Sequence, residues 1–300
     1  MIILKIVMTF LCILIGVAFM TLLERKLLSY IQLRKGPNKV GFGGILQPFA
    51  DAVKLFIKEL VIPFRGNKLM FSLVPLMSLG LALFMWGLLP SHYQVSVIKL
   101  GILLFICVSS VNVYMLMGAG WVSNSCYSFL GSMRASAQSI SYEVVMVFLV
   151  LFPCFASLSG NFGEFLGGGF PLLFLMVFCF GCWLVVCLAE TNRAPFDFAE
   201  GESELVSGFN IEFGSAPFAF LFLGEYTSIL FLSCLTSVCF MSSSSVIMMT
   251  VNTWGISIFF LFIRGIFPRH RYDKLMMLCW ISILPLSLGF LMLTPMLQWL

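Results

Sequence analysis

The chain has 300 residues, of which 60% are hydrophobic and 10% charged, with a mean hydropathy of +1.05 and a formal net charge of +4. That composition excludes a soluble globular domain and gives no basic region of the kind that binds nucleic acid. Apolar runs long enough to cross a bilayer, roughly 20 residues each, recur along the sequence, and strict two-residue alternation is absent, so the spans are read as helices and not barrel strands.

The pattern predicts an all-α polytopic membrane protein forming one domain over residues 1–300, with eight transmembrane helices. They are placed at about 2–22, 69–89, 97–118, 138–159, 171–190, 217–239, 246–267 and 275–297. The first helix begins at the N-terminus with neither a basic, Ser-rich presequence nor a small-residue cleavage site. Glu24-Arg25-Lys26 is expected to close it. The segment between the first two helices holds nine Lys and Arg, and later loops on the same side add Arg134, Arg193, Arg264, Arg269, Arg271 and Lys274, leaving only Lys5 and Lys99 opposite. This bias puts the N-terminus outside and those loops inside, facing matrix or cytoplasm.

Within the first inside loop, Lys35-Gly36-Pro37-Asn38-Lys39 reads as a tight turn. Residues of about 45–60 then carry Phe49, Ala52, Val53, Phe56, Ile57 and Leu60 at helical spacing, with Gln47, Asp51, Lys54 and Lys58 on the other face. Too short and too charged to span, this run is predicted as an amphipathic helix in the interfacial plane, serving as a surface anchor or as the lip of an opening to lipid. Arg134 is expected just before the fourth spanning helix, with Glu143 about one turn inside it.

The cysteines fall mostly within apolar runs. Cys179 and Cys182, spaced C-x-x-C in Val177-Phe-Cys-Phe-Gly-Cys-Trp183, read as small core hydrophobes. His92 and His270 both fall in loops, which leaves no histidine pair for haem within the spans.

The acidic inside loop, about 190–216, is the most unusual stretch. It carries Glu190, Asp197, Glu200, Glu202, Glu204 and Glu212 against Arg193, a net of −5, whereas residues 23–68 have a net of +6. Loops of opposite charge on one face are expected to fold together as a plug. Glu143, Glu190 and Glu225 continue the acids into the inner half of the membrane, which predicts a half-channel and not a complete pore. Carboxylates in such a setting are a functional-site hypothesis.

Several stretches together resemble subunit 1 of respiratory complex I, known as the H subunit in bacteria. They are Glu24-Arg-Lys26, Gln32-Leu-Arg-Lys-Gly-Pro-Asn-Lys-Val-Gly41, Leu46-Gln-Pro-Phe-Ala-Asp51, Arg134-Ala-Ser-Ala-Gln138, Ser141-Tyr-Glu143, Ala189-Glu-Thr-Asn-Arg-Ala-Pro-Phe-Asp197, Glu202-Ser-Glu-Leu-Val-Ser-Gly-Phe-Asn210 and Pro268-Arg-His-Arg-Tyr-Asp273. The resemblance runs in order over nearly the whole chain. It implies a core membrane subunit of proton-pumping NADH:ubiquinone oxidoreductase that forms most of the quinone tunnel and couples quinone reduction to proton translocation. NADH, FMN and iron–sulfur clusters would belong to partner subunits; ubiquinone would be the substrate here, with nothing bound covalently and no metal.

Carried over by position, Glu24, Arg25, Arg34, Asp51 and Lys54 would line the tunnel or its mouth, with Arg269 and Arg271 as further candidates and Phe56 against the isoprenoid tail. Glu143, Glu190, Asp197, Glu202, Glu204 and Glu225 would form the proton path, with Arg134 and Arg193 tuning it. No residue is expected to act as a nucleophile. The resemblance further implies a mitochondrial inner membrane, with the N-terminus on the intermembrane-space side, or a bacterial inner membrane. Other complex I subunits and the bilayer would be its partners. Three alternatives stand beside it: the related membrane subunit of a hydrogenase, a secondary transporter whose acids bind a coupling ion, and a scaffold whose charges dock partner subunits.

Overall fold

The computed structural model describes residues 2–64, 66–90, 98–165, 177–197, 208–241 and 245–298. These form helices joined by turns, in chain order α1 (Ile2–Ile31), a 3-10 turn (Phe42–Gly44), α2 (Gln47–Ile57), α3 (Lys68–Trp86), α4 (Gly101–Val122), α5 (Cys126–Ser157), α6 (Phe162–Phe165), α7 (Val177–Glu190), a 3-10 turn (Gly208–Asn210), α8 (Ser215–Cys239), α9 (Val246–Ile266), α10 (Tyr272–Met277) and α11 (Leu284–Gln298). A π-helical stretch, Leu278–Ile283, joins α10 to α11 in one continuous rod. Pro285 follows one residue later. A proline has no N–H to donate, so the preceding turn must re-form its ladder, and widening to π geometry is one way to do so.

Among the described residues seven helices are long and apolar enough to cross a membrane: α1, α3, α4, α5, α8, α9 and the rod of α10 and α11. The fifth expected span is represented by α7, 14 residues long, and the residues just before it, 166–176, lie outside the described set. Residues 91–97, with His92, and 242–244 also lie outside it, as does Arg65.

Two helices run well past their expected ends. Glu24-Arg25-Lys26 does not close the first helix, which continues to Ile31. Leu27 and Leu28 sustain it, and the chain turns only as it approaches Gly36-Pro37. Arg134 does not precede the fourth spanning helix but lies inside α5, which starts at Cys126. Its first turns are rich in Ser, Ala and Gly, a composition that reads as a loop, yet Ser128, Gly131, Ser132, Ala135 and Ser136 are buried and their small size permits close packing. Gly131 needs its missing side chain: a Cβ there would stand 2.9 Å from Cα of Gly208, itself at φ +57°.

The core gathers around α5, α7 and α8, where Trp183, Tyr142, Met146, Leu149, Leu235 and Phe240 are almost fully enclosed. Cys179 is part of this core, as its apolar setting leads one to expect; Cys182 packs against it, partly buried. α8 is the most enclosed spanning helix and packs against α3, α9, α1 and α2. Its buried Ser233, Thr236 and Ser237 each donate to the carbonyl three residues earlier at 2.7 Å, so no hydroxyl enters the core unsatisfied. α2 lies across the ends of α1 and α8, with the Phe19–Phe49 and Phe56–Phe220 ring pairs holding it. Phe49, Val53, Phe56 and Ile57 remain largely exposed, as an interfacial apolar face would be.

Candidate functional site

Charged residues from α1, α2, α8 and α9, with Arg193 just after α7, meet in one region of the bundle. At its edge Arg25 Nη1 on α1 donates to Asp51 Oδ2 on α2 at 2.6 Å, and Gln47 Nε2 donates to the other oxygen at 3.0 Å. One turn of α2 separates Gln47 from Asp51, so both belong to its polar face. Lys26 Nζ hydrogen-bonds the Gly43 carbonyl, tying α1 to the 3-10 turn that leads into α2.

Inside this pair lies Glu24, only 4% exposed. Arg264 of α9 forms an ion pair with its Oε1, and the Tyr226 hydroxyl of α8 donates to its Oε2. Removing a carboxylate from water costs several kcal/mol unless both oxygens find partners, and here both do. Arg264 reaches it because Gly265 allows α9 to close on α1: a Cβ at Gly265 would stand 2.7 Å from Ile31 Cδ1. The Arg193 guanidinium covers the Tyr226 ring at 4.4 Å and extends Nη2 to Glu225 Oε2 at 3.4 Å. Glu24, Tyr226, Arg193 and Glu225 therefore form one continuous polar run.

The segment that presents Arg193 is held from three sides. Gln138 of α5, fully buried, donates through Nε2 to the carbonyls of Ala189 at 2.8 Å and Phe196 at 3.0 Å. His270 donates its backbone N–H to Pro195 O at 3.0 Å, and its ring stacks on Phe196 with centroids 5.6 Å apart. Arg269 Nη2 reaches Asp197 Oδ2 at 3.1 Å.

Two cavities open next to this run and meet at Glu190, the last residue of α7. One, with a volume of about 40 Å³, is bordered by Glu225, Thr191, Asn192 and Ser139. The other, of about 50 Å³, is bordered by Ser109, Phe105, Met146 and Leu232. Asn112, Glu190 and Ser228 border both. The Ser109 hydroxyl lies 3.2 Å from Glu143 Oε1. Glu143 sits 17 residues after the start of α5 and meets α4 at Ser109, near that helix's middle.

Residues 4–295 match the NADH dehydrogenase family. The chain belongs to the NADH dehydrogenase family. It is 52% identical over 286 residues to NADH-ubiquinone oxidoreductase chain 1 of Aedes aegypti, covering 93% of this chain and 90% of that one. It shares 50% over 295 residues with the protein of that name from Heterololigo bleekeri (94% and 92% covered) and 45% over 298 residues with that from Lampetra fluviatilis (93% and 90% covered). The resemblance to subunit 1 of complex I, drawn from the charged motifs, holds across the chain.

In this NADH dehydrogenase family member the expected residues separate into groups. Arg25 with Asp51, and Arg193 with Glu225, are brought together. Arg269, expected near the tunnel, instead pairs with Asp197 of the acidic segment. Arg34 and Lys54 are exposed, and Arg271 pairs with Asp273 at the surface at 3.1 Å, apart from the buried run. Arg134 lies part-buried in α5. Glu200, Glu202 and Glu204 lie outside the described residues. Among the described residues Asp51 pairs with Arg25 and Asp197 with Arg269, and the Ser215 hydroxyl, at the end of the acidic loop, hydrogen-bonds the Glu59 carbonyl of the first loop.

Sequence reading missed Arg264, Tyr226, Gln138, Ser109, Asn112 and Ser228. Arg264 carried a usable signal, being an arginine within an apolar run. The neutral residues carried none, because Ser and Asn are ordinary in membrane helices.

Proposed function

We propose that this chain forms the quinone tunnel of proton-pumping NADH:ubiquinone oxidoreductase and passes the effect of quinone reduction to a line of carboxylates. The observation that carries this reading is the series of polar groups from the edge of α2 to the middle of the bundle: Asp51–Arg25 at the rim, Glu24–Tyr226–Arg193–Glu225 within, then Glu190 at the border of two cavities and Glu143 beside Ser109 of one of them. The exposed apolar face of α2, with Phe56, offers an isoprenoid tail a route from lipid to that rim. Electrons would come from a cluster held by a neighbouring subunit. Uptake of protons by reduced ubiquinone alters charge beside Arg25, Asp51 and Glu24. Each ion pair along the series then feels a changed field, and closely spaced carboxylates exchange protons as a set. The chain's residues act by position and charge.

The same reading puts the charged end of the bundle on the matrix side of a mitochondrial inner membrane, or the cytoplasmic side of a bacterial one, with the N-terminus opposite. A secondary transporter would need its ion site at the meeting point of inverted repeats, and the sequence carries no convincing repeat.

Photolabelling of the intact complex with an azido-ubiquinone tests the tunnel. Adducts on residues adjoining Arg25 or Asp51, competed away by ubiquinone, are expected; labelling confined to other subunits overturns it. For the coupling half, Glu190→Gln is expected to abolish proton translocation in proteoliposomes, and unchanged proton-to-electron stoichiometry and rate would overturn that part.

A further inference from the structure

Glu190 is the only carboxylate among the described residues that borders both cavities at the centre of the bundle. Its Oε2 is buried and accepts no hydrogen bond there. Two neutral residues accompany it on both borders. Asn112 lies on α4 one turn from Ser109, and Ser228 lies on α8 one turn from Glu225. Spacing of three residues puts each neutral side chain on the same helix face as its partner. The two helices therefore present matching pairs: Ser109 with Asn112 facing one cavity, Glu225 with Ser228 facing the other.

The Ser228 hydroxyl donates to the Glu225 carbonyl at 2.7 Å, which leaves its oxygen lone pairs for an incoming donor. An asparagine amide both donates and accepts. A confined water needs about two to four polar partners, and each cavity offers that number around Glu190.

We propose that Asn112 and Ser228 are positioning residues that hold water against Glu190, making its carboxyl the relay between Glu225 and Glu143. The idea rests on the carboxylate path proposed above. In the forward step protonated Glu225 gives its proton to water in the first-described cavity, and water there protonates Glu190. The Glu190 O–H bond then breaks towards water in the second cavity. The Ser109 hydroxyl accepts that proton on its oxygen and releases its own to Glu143. Glu225 ends ionised, Glu143 ends protonated, Glu190 returns to its starting state, and no electron moves. The two cavities, touching only through this group and its two neutral neighbours, give the carboxyl two alternative faces. Positioning of proton donors and acceptors within hydrogen-bond reach is what makes such transfers fast.

The test uses intact complex I carrying the variant chain, reconstituted in liposomes. Ubiquinone-dependent proton translocation is followed together with the redox-induced infrared difference spectrum, in which the Glu190 protonated-carboxyl band is identified by its loss in Glu190→Gln. Asn112→Leu and Ser228→Ala are each expected to slow translocation about tenfold or more and to shift that band, whereas Asn112→Gln restores both. If Glu190→Gln abolishes translocation while Asn112→Leu and Ser228→Ala keep the parent rate and band, the positioning role is overturned and the carboxylate path survives. If Glu190→Gln itself translocates normally, the path fails and the proposal with it. Should Asn112→Leu fail to assemble, Ser228→Ala, which removes one oxygen atom, decides on rate and band.

Discussion

Glu24 and Arg264, 240 positions apart in sequence, form an enclosed ion pair that fastens the end of α1 to the end of α9. Removing one partner of such a pair strands the other charge. Arg264→Met is expected to destabilise the chain by about 3–5 kcal/mol, read as lower assembly on native gels and an earlier thermal inactivation of the complex. The double variant Glu24→Gln with Arg264→Met should recover part of that loss. A single variant as stable as the parent would show that the pair is not desolvated in the complex.

Tyr226 has two separable roles. Tyr226→Phe removes the hydrogen bond to the Glu24 carboxylate and should cost about 1.5–3 kcal/mol. Tyr226→Leu also removes the aromatic face beneath Arg193 and should cost about 1 kcal/mol more. Thermal inactivation of the two variants, compared in the same membrane preparation, separates the terms. Equal losses would mean that the guanidinium gains nothing from the ring.

Gln138 fixes the segment that carries Arg193 and Asp197. Gln138→Leu leaves the Phe196 carbonyl without its side-chain donor, at about 1–3 kcal/mol, while the Ala189 carbonyl keeps the Asn192 N–H at 3.3 Å. Faster hydrogen exchange at residues 191–197, with exchange in α9 unchanged, is the expected signature. Protection equal to the parent's would show that His270 and Arg269 suffice to hold the segment.

The contact between Gly131 and Gly208 tolerates no side chain without movement. Gly131→Val should push the 3-10 turn off α5 and cost about 1–3 kcal/mol. It should also lower ubiquinone reductase activity, because the turn belongs to the acidic inside loop. Unchanged assembly and activity would show that the turn moves away at no cost.

Arg25 and Arg271 provide a contrast within the residues first assigned to quinone. Arg25→Ala removes a short charge-assisted hydrogen bond at the rim and should raise KM for ubiquinone about tenfold. Arg271→Ala breaks an exposed pair, worth about 0–1 kcal/mol, and should leave KM unchanged. Steady-state kinetics with a short-chain ubiquinone distinguishes them, and equal effects would remove the assignment of the rim to Arg25 and Asp51.

Much of the architecture was legible in advance. Long apolar runs can be satisfied in lipid only as helices, so class and approximate spans follow from hydropathy. The helix of residues 47–57 follows from apolar residues at helical spacing with charges opposite. Helix ends were less legible. Hydropathy marks where a helix leaves hydrocarbon, not where its hydrogen-bond ladder stops, so α1 and α5 extend beyond Arg25 and Arg134, charged positions at which a hydropathy reading ends a span.

The amino-acid order alone determined that this is a helical membrane chain, that its carboxylates concentrate near residues 190–225, and which family's charged motifs it carries. Those are properties of composition, periodicity and local spacing. Only the tertiary structure decided which charges meet. Glu24 with Arg264, Arg193 with Glu225, and Asp197 with Arg269 are pairs between different helices or loops, as is the contact of Glu143 with Ser109. Such partners are selected by the packing of helices in three dimensions, where a glycine such as Gly265 admits a close approach that no pattern along one strand of sequence records.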